Sequence, residues 1–568
     1  MVMKYLSLLL VTTFFISCGS TNSIEHNPSF AGTIADNTSW YTTQSQTVVD
    51  INISLPPAPN SSLCAYYKDT LGPIRPCTLE DVNNDTNPFD TYKPAVSALF
   101  STTTFVPINE LTNGLLTQKG KSTRSADQKS YKLKLTSKTN LYEGQRRLQY
   151  NKQFFDMTRI RNKLSFDLFQ DIPDLPSLKT EFVHMTLDGV DKGLFTKIES
   201  YDKEYLLHRN WGKDDNLYKA QNFTFYKHPD LVLTDKGIPS NLSAFSAIIE
   251  PQRGKEQTKL IEMLDAVNSN VNIDTVISKY FNRENYLTWL AVNILMGNVD
   301  TITQNFFLLN PVNSDTFYFL PWDYDDGWGW KNQQSRTGFY ARWHLSIARW
   351  WDSPLHRKFL TIKKNRDDLD SKILEIRATY ITDAKIKTKI DKYKLLVRPY
   401  LFTPPDQTFL NYFATAPANT QTEWEQECDR LAGTIQENIQ DNDSQKGSPM
   451  PFWQVASYSN NLLSLNWDKS IDLEGDTLVY DIQVSNSPDF NTTIVNETTL
   501  AVDNILLSNI DGQITYKKTI VGLPSGFYYL KAKASELTDS THFRYSFDSY
   551  YDSTQKKTFH GVLRFEVK

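Results

Sequence analysis

Cysteine is scarce, with four among 568 residues. That is too few for a chain held together by a disulfide framework. None stands at metal-ligand spacing with one of the eight histidines, so the sequence carries no zinc motif. An excess of one charge is missing as well. Sixty Lys and Arg face 65 Asp and Glu, for a net charge of −5 and a pI near 6.0, which argues against a chain-wide nucleic-acid binder. Long hydrophobic runs are missing except at residues 5–16, and those 12 residues fall short of the roughly 20 that a membrane-spanning helix needs. No internal repeat or long low-complexity tract is present. What remains is a globular composition, 40% hydrophobic and 22% charged, with 13% aromatic residues. At roughly 150 residues per domain the length suggests three or four units.

The start of the chain sets the expected compartment. Met1-Val2-Met3-Lys4 followed by the apolar run suits a signal-peptide core. Phe15-Ile16-Ser17-Cys18-Gly19 resembles a bacterial lipoprotein lipobox, which implies lipidation of Cys18. The expectation is a signal peptide over 1–17 and a Ser/Thr/Asn-rich tether over 18–45. The protein would then be extracytoplasmic and held to a membrane by lipid. In that compartment Cys64 and Cys77 can pair across a Pro/Gly-bearing loop, leaving Cys428 over.

Alternation of period two begins at Val48. Strand-like runs follow over 115–135, ending in Tyr131-Lys132-Leu133-Lys134-Leu135. Residues 156–169 read as a helix with Ile160, Leu164 and Leu168 on one face. Asp188-Gly189 joins two strands over 183–198 as a hairpin. Residues 275–297 read as one helix stopped at Gly297, and 306–309 with 316–320 as two strands. Residues 354–400 are charged and helical. Beyond Gly447-Ser448-Pro449 the pattern is almost purely strand-like. The stretches 463–467, 475–481 and 523–530 resemble a fibronectin type III or immunoglobulin-like sandwich.

Charge is segregated beneath the neutral average. From Lys119 to Lys163 there are 13 Lys or Arg against Asp127, Glu143 and Asp156. From Glu284 to Trp330 there is no Lys or Arg, and the acids are Glu284, Asp300, Asp315, Asp323, Asp325 and Asp326. A cationic surface facing an acidic one suits a polyphosphate with its divalent ions. Asp300 precedes Asn305 by five residues, the D-x-x-x-x-N spacing of a kinase catalytic loop. Two strands later, Leu320-Pro321-Trp322-Asp323-Tyr324-Asp325-Asp326-Gly327 ends in acids, where a kinase presents its metal ligand. Lys132 and Lys134 share one strand face, and either suits a phosphate contact. Asp167 or Asp156 is available as its acidic partner. Gly120 allows close approach to phosphate, Arg124 a charge-assisted contact, and Glu199 ends the hairpin where a hinge would pair with adenine.

These stretches together resemble the CotH kinase family, named for spore coat protein H. The resemblance covers about residues 115–400. It rests on Lys119-Gly120-Lys121-Ser122-Thr123-Arg124, Asp156-Met157-Thr158-Arg159-Ile160-Arg161-Asn162-Lys163-Leu164, Leu217-Tyr218-Lys219, Gly297-Asn298-Val299-Asp300, Gln304-Asn305, and above all Pro321-Trp322-Asp323-Tyr324-Asp325 with Gly327-Trp328-Gly329. Gln304 departs from the His frequent there, and the Gly120 turn departs from a Gly-Asn-Ser-Ser type. The resemblance implies an α+β, atypical protein-kinase-like two-lobed domain over 46–440, and the strand-like stretches beyond it are expected to form the all-β sandwich over 450–568. It implies ATP with Mg or Mn, and an exported protein as Ser/Thr substrate. Asp300 matches the catalytic aspartate and Asp323 the metal-binding one, with Asn305 and Asp325 as further metal ligands. The ATP-binding lysine is one of Lys129, Lys132 and Lys134.

Two other readings compete. One is a non-catalytic, adhesin-like surface lipoprotein. The other is carbohydrate attachment through Trp328, Trp330, Trp343, Trp350 and Trp351, weighed against ordinary core packing. The acids at 323–326 and at 472–476 also admit a calcium turn, although neither has the spacing of a full cage.

Overall fold

In the computed structural model, which describes residues 34–56, 75–86, 93–329, 346–502, 506–508 and 513–568, the alternation that begins at Val48 closes on itself. Seven strands form a barrel: β1 (Val49–Ser54), β2 (Val96–Thr102), β3 (Gly114–Lys119), β4 (Ser130–Leu135), β5 (Arg147–Asn151), β6 (Thr180–Leu187) and β7 (Val190–Ile198). Their order is β1-β2-β3-β4-β5-β7-β6, closed by a parallel pairing of β1 with β6. Alternate residues such as Ile53, Phe100, Leu133, Leu148 and Met185 fill the interior. Their neighbours face outward, so Lys132 lies on the outer surface between Thr117 of β3 and Gln149 of β5. The β6–β7 turn has two residues, Asp188 at φ 52° and Gly189 at φ 75°. This is the pair of left-handed conformations that a tight hairpin requires.

Between β5 and β6 the chain forms helix α1 (Arg161–Phe169), every residue of which is buried. The sequence reading starts this helix at Asp156. The structure starts it at Arg161, because the Asp156 carboxylate turns back to accept from the backbone N–H groups of Thr158 (2.9 Å) and Arg161 (3.2 Å). The Arg161 side chain is wholly enclosed and paired with both Asp156 and Glu427.

A second, antiparallel sheet of order β11-β10-β8-β9 follows, made of β8 (Asn216–Ala220), β9 (Ile249–Arg253), β10 (Phe306–Asn310) and β11 (Tyr318–Pro321). The single helix expected over 275–297 is two, α2 (Ile273–Tyr280) and α3 (Arg283–Met296). Phe281 leaves the helical region (φ −135°, ψ 144°) to bridge Phe317, and Asn282 then caps α3. On α3, Trp289 stacks on Phe319 with ring centroids 4.3 Å apart. The Tyr286 hydroxyl lies 2.6 Å from Nδ1 of His356. The charged helical stretch resolves into Pro354–Thr361, α4 (Lys363–Thr379) and α5 (Asp383–Leu401), and α6 (Thr420–Lys446) packs against α3 and α5 and reaches α1 through the Glu427–Arg161 pair. No helix among the described residues is long and apolar enough to cross a membrane.

Past α6 the described residues hold strands only. Two antiparallel sheets enclose a core of Leu465, Trp467, Tyr480, Ile482 and Leu530. This β region is fastened to the helical part by Trp453 Nε1 donating to Asp352 (2.7 Å) and Arg366 Nη2 donating to the carbonyl of Leu473 (3.0 Å). Cys77 is disulfide-bonded, and Cys428 is buried and free. Cys18, Cys64, the signal segment and most of the tether lie outside the described residues, as do Trp330 and Trp343. Trp328, Trp350 and Trp351 are core residues, which removes them as a glycan-facing surface.

Two stability outcomes follow. Arg161→Ala leaves the buried Asp156 carboxylate without its cation and Glu427 with Arg430 alone, and should cost about 3–5 kcal/mol in urea unfolding. Burial pushes the His356 imidazole down to about 3, below its ordinary value of 6.5. The unfolded chain therefore takes up a proton that the folded chain refuses. The contribution is full above pH 6.5 and is lost at about 1.4 kcal/mol per pH unit as pH falls toward 3. Unfolding free energies of His356→Gln measured from pH 7.5 to 4.5 should lack that slope when compared with the parent.

Candidate functional site

Helix α3 ends at Gly297, in the left-handed conformation (φ 59°), where a Cβ would come within 2.8 Å of the Asn438 side chain. One turn of 3₁₀ helix (Val299–Thr301) then presents Asp300. Thr301 Oγ1 donates to Oδ1 of Asn293 (3.2 Å), tying that turn back to α3. The Asp300 carboxylate accepts from Gln304 Nε2 at 2.7 Å and from Asn305 Nδ2 at 2.6 Å. The D-x-x-x-x-N spacing is thus a direct contact, and the Asn305 amide oxygen is the atom left for another partner.

Strands β10 and β11 bring the next acid to the same place. Phe306 pairs with Pro321, so Asn305 and Trp322-Asp323 flank one end of the hairpin. Phe307 also pairs with Lys219 of β8, which places a lysine at that end. Asp323 adopts φ 59° and accepts from Asn162 Nδ2 on α1 (3.3 Å), while Asn162 Oδ1 accepts the N–H of Tyr324 (3.2 Å). Trp328 Nε1 donates to Ser165 Oγ (2.8 Å), and Tyr324 packs between Phe166 and Phe169. One face of α1 therefore seats the whole acidic segment.

Asp300, Asp323, Asp325 and Lys119 are each half-buried, enclosed by protein yet open to solvent, as side chains on a cleft floor are. Burial, opposed by the Gln304 hydrogen bond and assisted by Asp323, pushes the Asp300 carboxyl up to about 6. Burial together with Asp323, Asp326, Asp156 and Asp300 holds Asp325 well above the usual carboxylate range. Facing these acids, burial lowers Lys119 to about 8 against the pull of Asp323 and Asp325. Burial with Arg147, Lys119 and Lys219 nearby lowers Lys132 to about 8. Lys119 also lies over the Trp322 ring at 5.3 Å.

The structure thus brings Asp300, Asn305, Asp323 and Asp325 together, with Lys119 facing Asp323 and Asp325 and Lys132 beside Lys119. Other sequence candidates sit elsewhere. Arg124 is spent on Asp85, on Gly120 O (2.7 Å) and on Gln118 O (3.2 Å), so it braces the turn from inside. Gly120 shapes that turn at φ 110°, where a Cβ would meet Thr123 Oγ1. The Glu199 carboxylate is held by both terminal nitrogens of Arg209 at 3.1 Å, and its own N–H goes to Lys179 O (2.9 Å), so neither group reaches outward. Lys134 is exposed further along β4 beside Arg147 and Arg146. Lys129 donates to Arg124 O (2.7 Å). Asp167 pairs with Lys163 (2.9 Å) and Asp156 with Arg161, so neither is the acidic partner of Lys132. Lys119, Lys219 and Asn162 belong to the site and were not singled out by sequence. Their signal was membership of the same short motifs as the chosen residues.

In the β region, Asp472, Asp476 and Glu536 each place one oxygen within 4.8 Å of the others. Three backbone N–H groups bond Asp472 Oδ1 and His542 bonds Glu536, while the buried Asp472 Oδ2 has no hydrogen-bond partner.

Asn162→Ala removes both bonds to the acidic segment. Urea unfolding should show a loss of about 1–3 kcal/mol, the range for orphaned buried polar groups.

The sequence profile of the family described as CotH kinase protein matches residues 116–440. The chain is 27% identical over 216 residues to the inner spore coat protein H of Bacillus subtilis (strain 168), covering 37% of this chain and 58% of that protein. It thus spans little more than half the length of that relative. Among solved structures it is similar to the Helicobacter pylori proinflammatory kinase CtkA, with a TM-score of 0.26 and 13% identity over 55% of this chain and 94% of that one. It is also similar to Shewanella oneidensis MR-1 HipA, solved with HipB and operator DNA, with a TM-score of 0.22 and 12% identity over 68% and 75%. With the profile spanning more than half its length and including Asp300, Asn305 and Asp323, this chain belongs to the CotH kinase protein family.

Proposed function

We propose that the protein is a metal-dependent atypical kinase that transfers the γ-phosphoryl group of ATP to a Ser or Thr hydroxyl of an exported protein. We read the barrel and the helical part as its two lobes, the β region as an immunoglobulin or fibronectin III-like sandwich, and Cys18 as the lipid anchor to the membrane. The observation that carries the reading is the meeting of Asp300, Asn305 and Asp323 at one hairpin end, opposite a cluster of lysines.

The donor set suits a hard divalent cation. Asp323, Asp325 and the Asn305 amide oxygen are oxygen ligands, and the raised Asp325 carboxyl is what a bound cation would relieve. When bound, Mg²⁺ or Mn²⁺ neutralises charge on the transferring phosphate. Lys119, Lys132 and Lys219 supply the remaining positive charge to the phosphate oxygens. Asp300, oriented by Gln304 and Asn305, is placed to position the acceptor hydroxyl and take its proton. Asn162 keeps Asp323 in its left-handed conformation without touching substrate.

The test uses the full chain with γ-labelled ATP, Mg²⁺ or Mn²⁺, and secreted proteins as acceptors. Asp300→Asn and Asp323→Ala should each lower phosphotransfer by about 100-fold or more. Unchanged transfer in Asp323→Ala would overturn the assignment. Thermal stabilisation by ATP with no transfer to any acceptor would favour the non-catalytic surface-binding reading.

A further inference from the structure

Helix α1 has a second face. Asn162, Ser165, Phe166 and Phe169 meet the acidic segment, whereas Lys163, Asp167 and Gln170 point the other way, as helical spacing dictates. That second face lines a cavity of about 130 Å³, enclosed also by Tyr41 and residues 44–47, by Phe182 of β6 and by α5.

Its charge is unbalanced in a specific way. Inside, Lys163 and Asp167 satisfy each other at 2.9 Å, and Asp167 also accepts from Gln44 (3.0 Å), Thr180 (2.8 Å) and the Tyr393 hydroxyl. No capacity remains on that carboxylate. Helix α5 carries five lysines. Three have acids: Lys385 with Asp171 (3.7 Å), Lys387 with Asp391 (2.8 Å) and Lys394 with Asp429 (2.7 Å). The other two, Lys389 and Lys392, form no close ion pair among the described residues, although Lys389 stands near enough to Asp167 to help hold its carboxyl down, and they are the two that line the cavity. Lys392 donates only to the neutral Gln46 amide. Standing three residues apart, they share one helix face.

We propose that this cavity binds a small phosphomonoester, with its phosphate between Lys389 and Lys392 and its organic part against Tyr393 and Phe182. A phosphomonoester carries about −1.5 to −2 charge at neutral pH and matches two ammonium groups, where a single carboxylate would leave one unmatched. The two rings supply the apolar wall that such pockets use. A ligand there fastens residues 41–47 to α1, and α1 in turn holds Asp323 through Asn162. On the kinase reading above, occupancy therefore favours the nucleotide-competent arrangement, and nucleotide favours occupancy by the same factor.

Calorimetric titration of the full chain with phosphoserine, inorganic phosphate and serine tests this. Phosphoserine should bind and serine should not. The double variant Lys389→Ala/Lys392→Ala should weaken binding at least tenfold, and Lys389→Gln alone should weaken it by less. Lys132→Ala, in the other cleft, should leave it unchanged. Hydrogen exchange over 41–47 and 161–170 should slow when phosphoserine is present. The proposal is overturned by no binding of phosphoserine or phosphate at millimolar concentration, or by loss in Lys132→Ala rather than in the double variant. Unaltered exchange over 161–170 would overturn the coupling. None of these readouts uses phosphotransfer, so a chain without kinase activity would fail the functional reading and still give them.

Discussion

The buried guanidinium of Arg161 is the constraint on which the rest of the molecule depends. A charge removed from water is tolerated only where opposite charge and hydrogen bonds surround it. Here the two carboxylates come from different places, Asp156 from the turn before α1 and Glu427 from α6. The first sets where α1 begins. The second fastens that helix to a segment 266 residues away. Once α1 is placed, its next residue, Asn162, reaches Asp323, Ser165 reaches the Trp328 indole, and Phe166 and Phe169 enclose Tyr324. The barrel, the acidic segment and the C-terminal helix are thereby fitted to a single nine-residue element.

The cleft beside that helix is electrostatically incomplete on both walls. Lysines on the barrel side are pushed down by burial and by one another, and Asp325 on the hairpin side is pushed up by burial and by neighbouring acids. Among the described residues no ion pair joins Lys119, Lys132 or Lys219 to Asp300, Asp323 or Asp325. Buried pairs elsewhere do form directly, as with Lys152 and Asp406 at 2.7 Å or Lys197 with Glu143 and Glu181. The same chain can therefore satisfy a buried lysine when stability alone is at stake. A cation between acids and a polyanion between lysines would relieve both walls together.

Much of this was legible because it depends on local pattern. The Asp188-Gly189 hairpin follows from two residues that tolerate positive φ, and the acids at 300 and 323 follow from their place after a helix and after a strand. What could not be read depends on partners distant in sequence. Arg124 resembles a phosphate contact until Asp85 is beside it, and Glu199 resembles a hinge residue until Arg209 encloses it. The break at Phe281 needs Phe317, a strand-edge partner 36 residues on, which no helical periodicity reveals. Alternation puts Lys132 and Lys134 on one face of β4 and says nothing of what stands beside each, which is Lys119 and Lys219 for the first and Arg146 for the second.

Backbone conformation gives an independent reason to regard the hairpin end as more than a surface turn. Asn305, Asp323 and Trp328 all have φ between 58° and 64°. Asn and Asp enter that region at small cost, because their short polar side chains bond locally. Here Asn305 bonds Asp300, five residues back, and Asp323 is held instead by Asn162 of α1. Trp328 has no such excuse, and a bulky residue there is a strained one. It is held by its N–H donating to Met296 O at 2.7 Å and its indole donating to Ser165. Strain of about 1–3 kcal/mol at such a residue persists only where surrounding contacts over-determine it. Here those contacts come from α1 and the end of α3, the same two elements that position Asp323 and Asp300. The helices that aim the acids also hold the backbone that carries them in a conformation it would otherwise leave, so neither the geometry of the acids nor the packing of the two helices can change without the other.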